Sequence, residues 1–272
     1  MRIVKSLTAA LLVAAAPIAP ALAQADSSFH GALFTWRDAV LAGAFTLGTI
    51  AARPLDKSAA HAMQQPAPQR NRVLRVTADI VRQIAVPGAV VIGGSMYAAG
   101  RLANNDRLAE LGLFGTEALL VGGGSADVHK LVFGRARPYV DSVPNPDNWQ
   151  LMRGLHGGPK YQSFPSGHSV AAFAAAAAVS SEVSRWYPNW IYAVGPAMYG
   201  GATMVALSRM YENRHWASDV ITGAAIGTFA GIKVVRYHRT HHNKTFDRWL
   251  LNASVNPKDL THVTFSLVPM LR

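Results

Sequence analysis

Six segments of this chain run for a helix's length with few charges, and Pro, Gly or polar turns separate them. They cover residues 36–51, 73–99, 106–133, 167–183, 190–207 and 215–237. Several are apolar almost all round. Such a helix must be buried on every side or lie in lipid. Composition agrees, since half the residues are apolar and only 15% are charged, against about 25% in an average soluble protein. Disordered and collagen-like chains are excluded. The breaks are equally legible. Pro54 ends the first segment, and residues 54–72, with Gln64-Gln65-Pro66-Ala67-Pro68, read as a loop. Pro87 kinks the second segment. Residues 138–165, rich in Pro, Gly, Asn and Asp, read as a long loop. There is no internal repeat. The expected fold is all-α, a single bundle of about six helices. The tail alternates at Val263, Phe265 and Leu267 before Pro269, a short strand at most.

Most clean apolar runs are 12–17 residues, shorter than the roughly 20 that cross a bilayer. The second segment carries Asp79 and Arg82, and the third Glu117 and Asp127. Buried bundle helices account for this pattern slightly better than membrane spans. Residues 1–23 read as a secretory signal: basic Arg2 and Lys5, a short apolar stretch, then Ala21-Leu22-Ala23 as the cleavage site. The expected division is signal peptide 1–23, helical domain 24–248 and tail 249–272. Losing the signal lowers the formal charge from +11 to +9. That balance favours anionic partners, an acidic lipid surface or a phosphorylated small molecule. Export and the lack of a recognisable module argue against nucleic acid. The absence of cysteine excludes a disulfide scaffold, a cysteine-ligated zinc and thiol catalysis.

Three short blocks carry chemistry. In Lys130-Leu-Val-Phe-Gly-Arg-Ala-Arg137-Pro138, seven residues make close to two helical turns. Lys130 and Arg137 then share a face, with Arg135 off that line, and the helix ends at Pro138. Two cations there can clamp a phosphate or simply form a solvated helix end. In Pro165-Ser166-Gly167-His168, Ser166 is a candidate N-cap and Gly167 admits an anion close to the backbone. His168 falls in the first turn, where free N–H groups favour a phosphate oxygen. A plain helix cap with an incidental histidine explains the block equally well. In the third block, Ser208-Arg209 precedes His215 and Asp219, which are spaced i, i+4. A carboxylate bonded to one imidazole nitrogen frees the other to act as nucleophile or base. A structural His–Asp pair has the same spacing.

Together the blocks resemble the signature of the type 2 phosphatidic acid phosphatase (PAP2) superfamily: Lys-x6-Arg-Pro, Pro-Ser-Gly-His, then Ser-Arg-x5-His-x3-Asp. Bacterial non-specific acid phosphatases and vanadium haloperoxidases share it. Every signature position is matched, from Lys130 to Asp219. The resemblance implies a PAP2/haloperoxidase-like helical core and a phosphatase. It implies that His215 is the nucleophile forming a phosphohistidine, Asp219 its orienting partner and His168 the general acid. Lys130, Arg137 and Arg209 would bind phosphate, with Ser166 and the Gly167 N–H completing the cradle.

Three cations and a helix N-terminus can stabilise a phosphoryl transfer without a metal. No cofactor and no metal site are therefore expected. His238, His241 and His242 suggest a metal cluster, but an exposed basic tail is the plainer reading. Gln162-Ser163-Phe164 before the second block and Ser169 after it are closer to the family's lipid phosphatases than to its soluble acid phosphatases. The leading expectation is a phosphatase acting on phosphate monoesters or diphosphates of lipids, such as phosphatidate or an isoprenyl diphosphate. It would be exported, and periplasmic or at the membrane surface. The alternatives are a soluble periplasmic acid phosphatase and a vanadium-dependent haloperoxidase. Trp149, Met152, His156 and Tyr161 either shape the substrate entrance or pack the loop.

Overall fold

The computed structural model describes residues 33–240 and two short strands. The helices are α1 Trp36–Ala52, α2 Leu55–Met63, α3 Pro66–Arg70, α4 Arg72–Gln83, α5 Ala89–Leu102, α6 Asp106–Phe133, α7 Arg153–His156, α8 Gly167–Trp186, α9 Ile191–Tyr211 and α10 Ala217–Thr240. Strands β1 Ser254–Val255 and β2 Val263–Thr264 pair antiparallel, Val255 opposite Val263. The signal at residues 1–23 lies outside the described residues, as do His241 and His242.

The six long segments are helices, as the sequence implies. The stretch 54–72 is not a loop, because α2 and α3 occupy most of it. Pro66 takes the first position of α3, where no N–H is needed. α2 buries Asp56, Ala59, Ala60 and Met63 along one side. The 138–165 segment likewise contains α7 and a 3₁₀ turn, Pro159–Tyr161. Pro87 sits in a widened π turn, Ile84–Gly88, which links α4 to α5 and absorbs the missing N–H.

Alanines make up much of the interior, and many large apolar side chains face outward. Ala109, Ala118, Ala126, Ala174, Ala176 and Ala178 are fully buried. Leu47, Val73, Val91 and Leu120 are 65–72% exposed. A close approach joins α8 to α10 along Gly223, Gly227 and Gly231, spaced i, i+4, i+8 on one face of α10. A Cβ on Gly223 would sit 2.6 Å from the Ser166 carbonyl oxygen. One on Gly227 would run into the Val170 carbonyl, and one on Gly231 into that of Ala174. The stripe lets the two backbones touch, as small residues do in lipid-embedded bundles. It thereby sets the second and third blocks side by side.

α4 is amphipathic in the reverse sense for a water-soluble surface helix. Val73, Leu74, Val76 and Ile80 point outward. Arg75, Ala78, Asp79 and Arg82, at i, i+3, i+4 and i+7, line an open cavity. Among the described residues, two helical stretches are long and apolar enough to cross a membrane, Arg72–Leu102 and Ala217–Thr240. The first leaves most of its apolar length uncovered, whereas the second is mostly buried.

Candidate active site

α6 ends at Gly134, whose φ of +53° is the left-handed conformation favoured by glycine. A Cβ there would also strike the Gln150 carbonyl and sit 2.8 Å from Arg153 Cβ. The helix therefore stops four residues before Pro138, and Arg137 does not share a helical face with Lys130. Residues 135–137 run as irregular chain, with the Ala136 N–H donating to the Asn148 carbonyl and the Arg137 N–H to that of Lys160. The 134–165 segment is pinned by Arg153. Its guanidinium donates to the Gly134 carbonyl at 2.7 and 3.0 Å and to Asn148, and lies 3.9 Å from the Tyr161 ring centroid. Trp149 packs against Phe133 and Phe164. Of the loop residues in question, Trp149 and Tyr161 are thus packing groups.

Arg135, which the spacing argument set aside, is the hub. It is fully buried and makes five hydrogen bonds. They go to Asp56 Oδ2 at 2.7 Å, Ser218 Oγ at 2.8 Å, Asp219 Oδ1, and twice to the Pro146 carbonyl. Trp149 and Trp216 lie 4.4 and 5.4 Å from its guanidinium carbon. Asp56 in turn accepts from the Ser218 N–H and hydroxyl, each at 2.7 Å. One guanidinium fork thus ties α2, the segment after α6 and the start of α10 together.

His215 is buried, and its Nδ1 lies 2.7 Å from the Ser163 carbonyl oxygen. A carbonyl can only accept, so Nδ1 carries the proton and Nε2 keeps its lone pair. Asp219 Oδ2 is 3.7 Å from Nδ1, beyond hydrogen-bond reach. That carboxylate instead accepts from Ser163 Oγ at 2.6 Å and from the Trp216 N–H at 2.9 Å. Asp219 therefore positions His215 through Ser163, and its own carbonyl accepts the Ser166 N–H. Ser163 orients the imidazole, a role the Gln162-Ser163-Phe164 comparison did not assign to it. A serine two residues before a Pro-Ser-Gly-His block gives no such signal by itself.

Ser166 caps α8, its Oγ accepting from the Ser169 N–H at 3.4 Å and hydroxyl at 3.0 Å. A Cβ on Gly167 would come within 2.9 Å of Lys130 Nζ, so that ammonium stands over the bare start of the helix. Lys130 also bonds Asp127 at 2.7 Å. Burial, reinforced by the charges of Arg209, His215, Lys130 and Arg82, holds His168 down at about 3. Burial likewise holds His215 at about 4, with the Asp219 carboxylate opposing and Arg137 and Arg209 adding to the depression. Both shifts favour neutral imidazoles at pH 7.

Arg209 is held by Glu212 on one side, while its buried Nε has no partner. Burial lowers it to about 10. Arg137 donates to the carbonyls of Pro159 and Gln162 at 2.9 and 3.3 Å. Arg137 and Arg209 line the cavity of about 550 Å³ bounded by α4. The eight residues nominated from the sequence thus cluster at one end of the bundle. An orphaned buried donor beside several cations suits a tetrahedral oxyanion. Among the described residues, no group of three or more His, Asp or Glu converges to hold a metal. His238 is not part of an exposed tail. It is buried, bonded to Glu117 at 2.5 Å and stacked on Phe114.

Residues 112–243 match the family model of the PAP2 superfamily. A stretch of 109 residues, 40% of this chain, is 36% identical to the lipid A 1-phosphatase of Porphyromonas gingivalis. The match spans 20% of that relative's length. The crystal structure of a transmembrane PAP2-type phosphatidylglycerolphosphate phosphatase from Bacillus subtilis aligns with 78% of this chain and all of its own. The TM-score is 0.49, with 20% sequence identity.

Proposed function

We propose, from the match of residues 112–243 to the PAP2 superfamily model, that the chain is a phosphatase of lipid phosphates working through a phosphohistidine. One observation carries the reading. The Ser163 carbonyl fixes the His215 tautomer, leaving Nε2 as a lone-pair nucleophile in a site lined by cations. The phosphoryl group is held by Lys130, Arg137 and the unpartnered Nε of Arg209, with the capped start of α8 beneath it. His215 Nε2 forms the bond to phosphorus as the bond to the leaving oxygen breaks. His168 gives that oxygen a proton. Water then attacks the phosphohistidine, returning a proton to His168 and releasing phosphate.

His168 favours its neutral form at pH 7, because burial and three neighbouring cations disfavour its charge. A bound phosphate dianion offsets those cations and lets His168 take up the proton it must donate. Substrate binding thus charges the acid. The lipid assignment rests on the outward apolar shell and on α4, whose apolar side faces away from the cavity its arginines line. With the shell seated in a bilayer, a headgroup reaches the cavity while its chains stay in lipid. Lipid A, named for the 36%-identical relative, fits that class.

The test is phosphate release in EDTA from phosphatidate and from a soluble aryl phosphate, by wild type and His215→Ala. Release that persists in EDTA and vanishes in the variant is expected. Full activity in His215→Ala would refute the mechanism.

A further inference from the structure

The cavity beside the site holds more positive charge than one phosphoryl group requires. Five arginines line it, Arg75, Arg82, Arg137, Arg209 and Arg214, against two carboxylates, Asp79 and Glu212. Both carboxylates are already engaged. Glu212 bridges Arg209 and Arg82, and Asp79 lies 3.7 Å from Arg82. Arg75 and Arg214 have no carboxylate partner among the described residues, and Arg214 rests over the Tyr139 ring at 5.2 Å. The like charges bear on one another, with Arg137, Arg214 and Arg82 all disfavouring the charge on Arg209. Arg75 and Arg214 are open to solvent, so the array is reachable by anions and attracts them. The cavity's 550 Å³ lies within the usual range for small-molecule sites, well beyond what one phosphoryl group fills.

We propose that this cavity is a second anion subsite, in which Arg75, Arg82 and Arg214 receive a second phosphoryl group of the substrate. The inference rests on the phosphatase reading above and narrows it. The substrate class is a headgroup with two phosphoryl groups, joined either as an anhydride or through a short polyol or sugar. Arg137 and Arg209, shared by site and cavity, hold the group that is cleaved. α4 then has a reason for its inverted character: its arginines face the headgroup and its apolar side faces lipid.

The test compares propyl phosphate, propyl diphosphate and propane-1,3-diol bisphosphate as substrates of the full chain in detergent micelles, with EDTA present. Wild type is expected to favour one of the two doubly phosphorylated substrates at least tenfold in kcat/KM, and which one identifies the linkage. Arg75→Gln and Arg214→Gln are each expected to reduce that preference about tenfold, through KM rather than kcat. Tenfold corresponds to about 1.4 kcal/mol, the scale of one charge-assisted hydrogen bond. Arg75→Lys, which keeps the charge, should retain most of the preference. Phosphate release from propyl phosphate with the preference absent, or unchanged in both Gln variants, overturns the subsite. No release from any of the three by wild type overturns the phosphatase reading, and the subsite falls with it.

Discussion

Arg135→Gln removes the one cation between two fully buried carboxylates, Asp56 and Asp219. Removing one partner of a buried ion pair costs about 3–5 kcal/mol, because the other charge is stranded. Here two are stranded, but neither is bare. Asp56 keeps its two bonds from Ser218, and Asp219 keeps those from Ser163 and Trp216. The loss should therefore sit near the single-pair figure, roughly 4 kcal/mol. At about 2–4 °C per kcal/mol for a chain of this size, the unfolding midpoint should fall by about 8–16 °C. Asp56→Asn supplies the internal check. In that background Arg135→Gln strands one carboxylate instead of two, so the double mutant should recover about 1.5 kcal/mol or more against additivity. Thermal unfolding in detergent, followed by tryptophan fluorescence, reads both, since Trp149 and Trp216 flank the guanidinium. A midpoint for Arg135→Gln within about 2 °C of wild type, or strict additivity with Asp56→Asn, would refute the hub.

Three further outcomes follow from the geometry. His168→Ala should slow hydrolysis of an alkyl phosphate by about 10²–10⁴, and of a nitrophenyl phosphate far less, because that leaving group needs no proton; equal losses would remove His168 from the acid role. Unfolded His215 binds a proton below about 6.5, whereas the folded one resists until about 4. Its contribution to stability therefore falls as the pH drops between those values, by up to about 1.4 kcal/mol per unit. The melting midpoint of wild type relative to His215→Asn should decline over that window, and a constant difference would contradict the assignment. Gly227→Ala should cost about 1–3 kcal/mol and depress turnover by parting α8 from α10, whereas Gly43→Ala, with open space around it, should be neutral or slightly stabilising. Similar melting of the two variants would dismiss the stripe as the spacer of the site.

The long helices were legible because proline, glycine and caps mark their ends. Asn105, for example, caps α6 one residue before its expected start. Eight candidate site residues could be nominated because their spacing matches the family signature. The 54–72 segment was not. Its prolines look like loop punctuation, yet Pro66 is as suitable for a first helical turn as for a turn between helices. Deciding between them required knowing that Asp56 is drawn inward by Arg135, an attraction spanning 79 residues. The same distance hid Arg135. A helical wheel carried through Gly134 puts Lys130 and Arg137 on the useful face and leaves Arg135 aside. The left-handed turn at Gly134 reverses that assignment by letting Arg135 point into the interior.

The reversed α4 shows why composition alone could not place the bundle. Periodicity reports that a helix has two faces but not which one meets protein. In Arg72–Gln83 the arginine face and the apolar face are equally regular. A water-soluble bundle would turn the valines inward. This one turns them outward, and its core can accept that because alanine and glycine already fill it. Arg75 of α4 is exposed and Arg82 partly so, and arginines gathered around a cavity attract anions. An outward apolar face requires a cover. The phosphorylated lipid proposed as substrate would meet both demands, with its headgroup among the arginines and its chains along the valines. The orientation of this one helix thus links the electrostatics of the site to the apolar surface around it.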